Sequence, residues 1–130
     1  APTASAQELM KRLTSEPGQT LTVLDAGCGT GLAGVVLNEI AAKTDVTLRI
    51  DGCDISPDML EEARKRGYVD LNVVDLNKPM AYATSSFDAV ICVGTFTMGH
   101  VSAEPALPEM VRVIRPGGYV VATVRTSFYD

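Results

Sequence analysis

Short apolar runs alternate with amphipathic segments along the whole sequence. The apolar runs predict five strands, at residues 21–26, 46–53, 69–74, 87–93 and 119–125. Between them, apolar residues recur every three or four positions, which predicts helices over residues 5–15, 31–43 and 57–66 and a fourth that ends at residue 114. This alternation predicts an α/β fold with a doubly wound, mostly parallel sheet and right-handed crossovers.

Sequence signals mark where several of these helices begin. Ser5 and Glu8 have the spacing of a capping box at the start of the first helix. Ser56 followed by Pro57 is typical of an N-cap residue and the first helical position. The fourth helix has two candidate starts, because either Pro105 or Pro108 could occupy its first position. The sequence leaves that choice open.

Composition narrows the class of protein and of partner. The 130 residues, 46% hydrophobic and 21% charged, predict one globular domain over residues 1–130, with an N-terminal helix within residues 1–18. The 11 Lys and Arg residues are outnumbered by 16 Asp and Glu residues and form no cluster, so we expect no nucleic-acid partner. No apolar run is long enough to cross a bilayer and no signal peptide is visible, so we expect no membrane partner.

The three cysteines are far apart in the sequence and include no C-x-x-C pair. Cys28, Cys53 and Cys92 each lie in or beside an apolar run. This placement is typical of reduced cysteines packed as small hydrophobic residues, and it disfavours a metal site or a disulfide framework. We therefore expect no metal, and we expect a reducing compartment, the cytoplasm.

Residues 24–31, Leu-Asp-Ala-Gly-Cys-Gly-Thr-Gly, join the first strand to the second helix. We call residues 27–31 the glycine turn. Its alternate glycines allow positive φ angles and let the backbone lie directly against a ligand. The helix that follows directs its unpaired N–H groups to the same place. The segment therefore predicts a small-molecule site at the carboxyl edge of the parallel sheet.

Two classes of ligand are compatible with such a turn. Residues 29–34 match the dinucleotide fingerprint G-x-G-x-x-G, and Asp54 lies near the right distance for a ribose contact. Three features argue against a dinucleotide: Asp25 would repel a pyrophosphate, Asp75 has no role in binding one, and the loop has no basic residue. Gly34 lies inside the predicted helix, where it could simply allow close packing.

Carboxylates at three successive strand ends favour the other class of ligand. Asp25, Asp54 and Asp75 can accept hydrogen bonds from hydroxyls and amines, and the negative charge strengthens those bonds. A ligand with a positive centre, a ribose diol and an exocyclic amine suits them better than a dinucleotide does. Aspartate is also common in ordinary turns, but three of them beside a glycine turn indicate a ligand site.

The same segments resemble the motifs of class I S-adenosylmethionine-dependent methyltransferases, in order and at normal spacing. The matching segments are residues 23–31, 52–60, 75–76, 87–90 and 112–118. More narrowly, residues 93–95, the Pro-Gly-Gly turn and residues 123–126 resemble the methyltransferase-like 27 (Williams–Beuren region) group. The resemblance implies a Rossmann-like sheet, S-adenosylmethionine as the cofactor and S-adenosylhomocysteine as its product.

The resemblance also implies how the cofactor is held. The glycine turn passes beneath the methionine part, near Asp25, and Asp54 holds both ribose hydroxyls. Ile55 and Leu76 enclose the adenine, whose exocyclic amine binds Asp75. The expected cofactor-binding residues are Asp25, Gly27, Cys28, Gly29, Gly31, Asp54, Ile55, Met59, Asp75, Leu76 and Val93.

Two further residues each have two interpretations. Met59 adds apolar contact near the ribose, or its helical spacing places it in the core. His100 is the only histidine and lies in residues 95–101, a loop that overlooks the methyl group in this family. It is a candidate catalytic base because its unperturbed pKa lies near neutrality. A loop histidine is more often a structural or acceptor-lining residue.

Two functional classes follow from the resemblance. The first is an enzyme that transfers a methyl group to a small-molecule or protein acceptor by in-line displacement. The second is an inactive domain that binds the cofactor for assembly or regulation. A full class I fold adds two strands after the fifth, whereas this sequence ends at Asp130, so we expect the fifth strand to be an exposed edge. Either the sequence is part of a larger enzyme, or the edge pairs with another chain, as in a homodimer.

Overall fold

The computed structural model describes residues 2–12, 20–44, 46–93 and 103–122. Along these residues strands and helices alternate after an initial helix, except that no helix separates the third strand from the fourth. The helices are α1 Pro2–Arg12, α2 Leu32–Ala41, α3 Pro57–Ala63 and α4 Ala103–Val113. The strands are β1 Thr20–Ala26, β2 Thr47–Asp54, β3 Asp70–Val73, β4 Phe87–Cys92 and β5 Ile114–Ala122.

The five strands form one sheet in the order β3-β2-β1-β4-β5, and all four neighbouring pairs are parallel. The predicted α/β, doubly wound fold is therefore confirmed. The chain moves outward from β1 in one direction through β2 and β3 and in the other through β4 and β5. This reversal between β1 and β4 leaves a crevice at the carboxyl ends of those two strands.

The sheet is covered on both faces because successive residues of its central strands point in opposite directions. Val23 of β1 lies in a cluster that includes Leu9 of α1 and Leu37 of α2. Leu24, the next residue, lies in a second cluster that includes Met110 of α4. All five side chains are fully buried. Among the described helices, none is long and apolar enough to cross a membrane.

The capping residue predicted from the sequence is wrong for α1 and correct for α3. α1 begins at Pro2, so Ser5 lies inside the helix, where it is buried, and the predicted capping box at Ser5 is wrong. Ala6 and Leu9 are also buried, so packing against the sheet carries the helix past that position. At α3 the prediction is confirmed, because Ser56 Oγ accepts a hydrogen bond from the backbone N–H of Met59 at 3.3 Å.

The start of α4 also differs from the prediction. The helix begins at Ala103, so neither Pro105 nor Pro108 occupies its first position, and Pro108 lies in its interior. Proline within the first turn loses no intrahelical bond, whereas an interior proline does. Three fully buried side chains recur at i, i+4 and i+7 along α4, and their packing offsets that loss. They are Ala106, Met110 and Val113.

The predicted Arg-Pro-Gly-Gly turn is an irregularity within β5. Phe87 pairs with Ile114 and Ala89 pairs with Tyr119, so residues 115–118 all lie opposite one residue of β4, Asp88. The Asp88 carboxylate accepts hydrogen bonds from the Arg115 side chain and from the backbone N–H of Thr22, the latter at 2.8 Å. Within the described residues β5 is an outer strand of the sheet. The predicted continuation to residue 125 lies outside the described residues.

Candidate functional site

The glycine turn follows β1 at the carboxyl edge of the sheet. Gly27, Gly29 and Gly31 have φ angles of 70°, 56° and 93°, in the region where side chains are strained. The backbone N–H of Cys28 donates to the carbonyl of Cys53 at 2.9 Å, which holds the turn against the end of β2. Gly31 is the N-cap of α2 and provides no side-chain cap, so the turn presents backbone N–H groups at the edge of the sheet.

A cavity of about 210 Å³ opens beside this turn, between the carboxyl ends of β1 and β4. It therefore lies at the crevice that the strand order predicts. Most of its lining residues are among those that the sequence analysis selected for the cofactor. The lining consists of Asp25, Gly27, Cys28, Gly29, Thr30, Leu32, Ala33 and Val93.

Asp54 joins the end of β2 to the glycine turn. Its Oδ2 accepts a hydrogen bond from the backbone N–H of Gly29 at 2.9 Å, and its Oδ1 accepts one from the backbone N–H of Ser56 at 3.0 Å. These two bonds fix the orientation of the carboxylate, which contacts Gly29 of the cavity lining and lies outside that lining itself. A carboxylate offers about four lone-pair sites, so Asp54 retains the capacity to accept two further hydrogen bonds.

Asp25 is the most deeply buried of the three strand-end carboxyl groups, with only 2% of its surface exposed. Its Oδ2 accepts a hydrogen bond from the hydroxyl of Tyr68 at 2.5 Å. Burial raises the pKa of Asp25 to about 7, with a further contribution from the nearby Asp54 charge, while the Tyr68 bond opposes the increase. A cation in the cavity would favour the ionised form of Asp25.

Two cysteines lie within the same region, and neither is ionised at neutral pH. Burial, followed by the charge of Asp25, raises the pKa of the Cys28 thiol far above its usual range. Burial also raises the pKa of Cys53 to about 11. Cys28 therefore presents a neutral, weakly polar surface to the cavity, and its thiol is a poor nucleophile.

The residues that follow Asp54 lie on the protein surface. Ile55 is 63% exposed and Met59, in the first turn of α3, is 44% exposed. The exposure of Met59 disfavours its alternative interpretation as a core residue. Both side chains lie outside the hydrophobic clusters and outside the lining of the cavity, so their predicted contacts with the cofactor stay predictions.

Asp75 and Leu76, after β3, lie outside the lining of the cavity. Asp75 Oδ1 accepts a hydrogen bond from the backbone N–H of Asn77 at 2.9 Å, which fixes its carboxylate in a turn. Leu76 is 4% exposed and belongs to the core cluster on the α4 face. The predicted adenine contacts of these two residues therefore stay predictions, and in this structure Leu76 offers little surface to a ligand.

Gly31 faces away from the cavity. A Cβ built at this residue would meet Tyr68 and Ala63 rather than open space. His100 lies outside the described residues, so its role as a base stays a prediction. Among the described residues, no group of three or more His, Cys, Asp or Glu side chains is arranged to hold a metal ion.

Sequence reasoning missed several residues of the site. Thr30 lines the cavity from within the glycine turn, and Leu32 and Ala33 line it as the first two residues of α2. Tyr68 contacts Asp25 from a segment 43 residues further along the chain. One signal pointed to such a contact: Gly34 inside a helix indicates that another group packs closely against it.

The sequence of the chain is similar to those of known methyltransferases. The family described as "Methyltransferase domain" matches residues 23–118. Human methyltransferase-like protein 27 is 36% identical over 129 residues, which cover 98% of this chain and 49% of that protein. The demethylmenaquinone methyltransferase of Oceanobacillus iheyensis is 33% identical over 126 residues, covering 93% of this chain and 50% of that protein.

A solved structure shares both fold and sequence with the chain. It is a S-adenosylmethionine-dependent methyltransferase from Thermotoga maritima, with a TM-score of 0.67 and 30% sequence identity. The match covers 98% of this chain and 54% of that one. The chain thus spans about half the length of the proteins it matches.

Proposed function

The chain belongs to the class I S-adenosylmethionine-dependent methyltransferases, and we propose that its 130 residues form one domain that binds this cofactor and transfers its methyl group. The acceptor is a small molecule or a protein side chain. The observation that carries the proposal is the cavity at the crevice between β1 and β4, where the glycine turn, a buried carboxyl group and the start of α2 meet.

The donor set suits the cofactor's chemistry. Asp54, with lone pairs still available and a fixed orientation, would accept the ribose hydroxyls. Asp25, buried at the cavity, would face the cationic end of the methionine part, and Asp75 would accept the exocyclic amine of the adenine. The exposed side chains of Ile55 and Met59 supply apolar surface near the ribose and the base.

The protein's contribution to the reaction is orientation. When bound, the cofactor supplies a methyl group that its sulfonium already makes electrophilic. Residues of this chain hold the donor so that an acceptor atom can approach in line with the bond that breaks, and such orientation supplies roughly 7–11 kcal/mol of a barrier. The neutral Cys28 thiol in the cavity does not compete as a nucleophile. We assign His100 as the candidate base for acceptors that must lose a proton.

We further propose a cytoplasmic location and self-association through β5. Three free, buried cysteines are compatible with a reducing compartment. Within the part of the chain that the structure describes, β5 is an outer strand whose Tyr119 is 38% exposed, and unpaired strand edges invite partners. Analytical ultracentrifugation of the 130-residue chain would test the dimer, which a stable monomer at high concentration would contradict.

Methyl transfer is tested with cofactor labelled in its methyl group. The chain is incubated with pools of small metabolites and, separately, of proteins, and the label is followed into products. We expect label in one pool with the wild-type chain and much less with Asp54→Ala. If the labelled cofactor binds the chain but the label enters neither pool, the result would contradict the proposed methyl transfer and favour an inactive cofactor-binding domain.

A further inference from the structure

Tyr68 occupies a space that glycines from three elements leave open. It follows Gly67 in the segment between α3 and β3, away from the glycine turn in the sequence. A Cβ built at Gly34 in α2 would lie 2.6 Å from the Tyr68 ring, and one built at Gly31 or at Gly52 of β2 would lie 2.9 Å from it. These distances are too short for any side chain. The three glycines therefore act together to admit one aromatic ring beneath the turn.

The hydroxyl of Tyr68 makes two hydrogen bonds whose directions are fixed. The backbone N–H of Gly34 can only donate, so it donates to the Tyr68 oxygen, at 3.1 Å. The phenol proton is then directed to Asp25 Oδ2, at 2.5 Å. Tyr68 thus connects the first turn of α2 to the buried carboxyl group at the cavity.

We propose that Tyr68 is a positioning residue for the cofactor, because its hydroxyl orients the Asp25 carboxylate and supports its charge at the methionine end of the cavity. This inference rests on the proposed function and adds a determinant to the same site. Tyr68 does not line the cavity, so it acts through Asp25 and the start of α2 rather than by contact with the cofactor.

The charge of Asp25 makes the role of the hydroxyl measurable. Among the described residues, the titratable groups that interact with Asp25 are Tyr68, Asp54 and the thiols of Cys28 and Cys53. The thiols stay protonated near neutral pH, and burial and Asp54 raise the pKa of Asp25 to about 7. The Tyr68 bond lowers this pKa, so loss of the hydroxyl raises it and reduces the ionised fraction at neutral pH.

The direction of the pH effect follows from this pKa. The cofactor's ammonium group binds the ionised form of Asp25 more tightly than the neutral form. Affinity therefore falls as pH decreases through the pKa of Asp25. In a protein without the Tyr68 hydroxyl, the same fall occurs at a higher pH. If Tyr68 only filled space, removal of its hydroxyl would change the free energy of unfolding and leave the midpoint of the pH dependence of affinity unchanged.

The test is calorimetry with S-adenosylhomocysteine between pH 5 and 8 on the wild-type chain and on Tyr68→Phe. Phenylalanine keeps the ring among the three glycines and removes only the hydroxyl. We expect affinity at pH 7 to fall by about tenfold, the scale of a hydrogen bond to a charged group, and the midpoint to move to higher pH. Tyr119→Phe is the control, because it also removes one phenol hydroxyl, but from β5, which β4 separates from Asp25 of β1.

Each outcome bears on a different statement. Tyr68→Phe with wild-type affinity and an unchanged midpoint would overturn the proposal and leave Tyr68 as a packing residue. Asp25→Asn provides a test that does not depend on the folding of Tyr68→Phe. It should bind weakly and without a midpoint in this range, and a midpoint like that of the wild type would also overturn the proposal. If the wild-type chain binds no S-adenosylhomocysteine at any pH, the proposed function itself fails.

Discussion

The glycine turn and the first turn of α2 have two sides, and glycine serves a different purpose on each. On one side, among the described residues, no atom lies within 4 Å of a Cβ built at Gly29, and this side borders the cavity. On the other side, a Cβ at Gly34 would lie 2.6 Å from the ring of Tyr68. Gly29 leaves space for a ligand on what we call the open side, whereas Gly34 leaves space for the side chain of Tyr68 on the filled side.

This difference changes how the motif is interpreted. Residues 29–34 match the dinucleotide fingerprint, in which the third glycine allows close packing of helix and strand. Here the third glycine, Gly34, admits the side chain of Tyr68 and donates its backbone N–H to the Tyr68 hydroxyl. A glycine pattern alone therefore does not identify the ligand, because part of it serves internal packing.

The largest effect is expected on the open side. Gly29→Val places a branched side chain where the backbone must approach the cofactor, and we expect calorimetry to show S-adenosylhomocysteine binding abolished. Because φ is 56° at this position, the valine strains the folded state and lowers the free energy of unfolding by about 1–2 kcal/mol. Gly117→Val is the matched control, since it introduces similar strain at φ 85° in β5. Equal binding by Gly29→Val and Gly117→Val would show that Gly29 does not border the ligand.

A smaller loss of binding is expected at Asp54, which supports the open side through Gly29. Asp54→Ala removes the carboxylate that would accept both ribose hydroxyls, and hydrogen bonds to charged groups contribute about 1.5–3 kcal/mol. We expect affinity for S-adenosylhomocysteine to fall by roughly tenfold to a hundredfold. Asp58→Ala makes the same change of charge at an exposed position in the first turn of α3. An Asp54→Ala affinity within twofold of the Asp58→Ala value would remove Asp54 from the site.

On the filled side, the expected loss is in stability. Gly34→Ala forces the Tyr68 ring to move, and overpacking of this kind costs typically 1–3 kcal/mol, against a helix-propensity gain of about 0.5–1 kcal/mol. Urea unfolding without ligand should show a net loss of about 1 kcal/mol. In a Tyr68→Ala background the same substitution should become neutral or stabilising. A cost that is equal in both backgrounds would disprove the contact.

The smallest expected effect concerns Asp25, whose carboxyl group accepts a hydrogen bond from Tyr68 on the filled side. Burial raises the pKa of Asp25 in the folded protein to about 7, above its value in the unfolded chain. The folded state therefore binds more protons, and the resulting stability is present below the unfolded pKa and is lost as pH rises through about 7. Relative to Asp25→Asn, the ligand-free wild type should lose about 1 kcal/mol of unfolding free energy between pH 6 and pH 8. Parallel pH profiles for the two proteins would contradict this.

The sequence predicted the fold well because periodicity reports which faces are buried. The five strands, their parallel arrangement and the position of the glycine turn all follow from local apolar patterns and turn residues. Helix starts were less predictable: the burial of Ala106 and Met110 extends α4 around two prolines, and Ser5 became part of the interior of α1.

The site was predictable only where local sequence defines it. Asp25, Gly29 and Asp54 lie at strand ends, and strand ends of a parallel sheet meet at one edge, so their proximity follows from the fold. Tyr68 was not predictable, because its contact with Asp25 spans 43 residues and follows no local pattern. Only the packing of three separate elements around its ring reveals it.

The central claim is that the open side of the glycine turn binds S-adenosylmethionine and its product rather than a dinucleotide. Calorimetry of the 130-residue chain with S-adenosylhomocysteine and, separately, with NAD tests this claim most directly. The account predicts saturable heat with S-adenosylhomocysteine and none with NAD. Measurable binding of NAD with no heat from S-adenosylhomocysteine would contradict it.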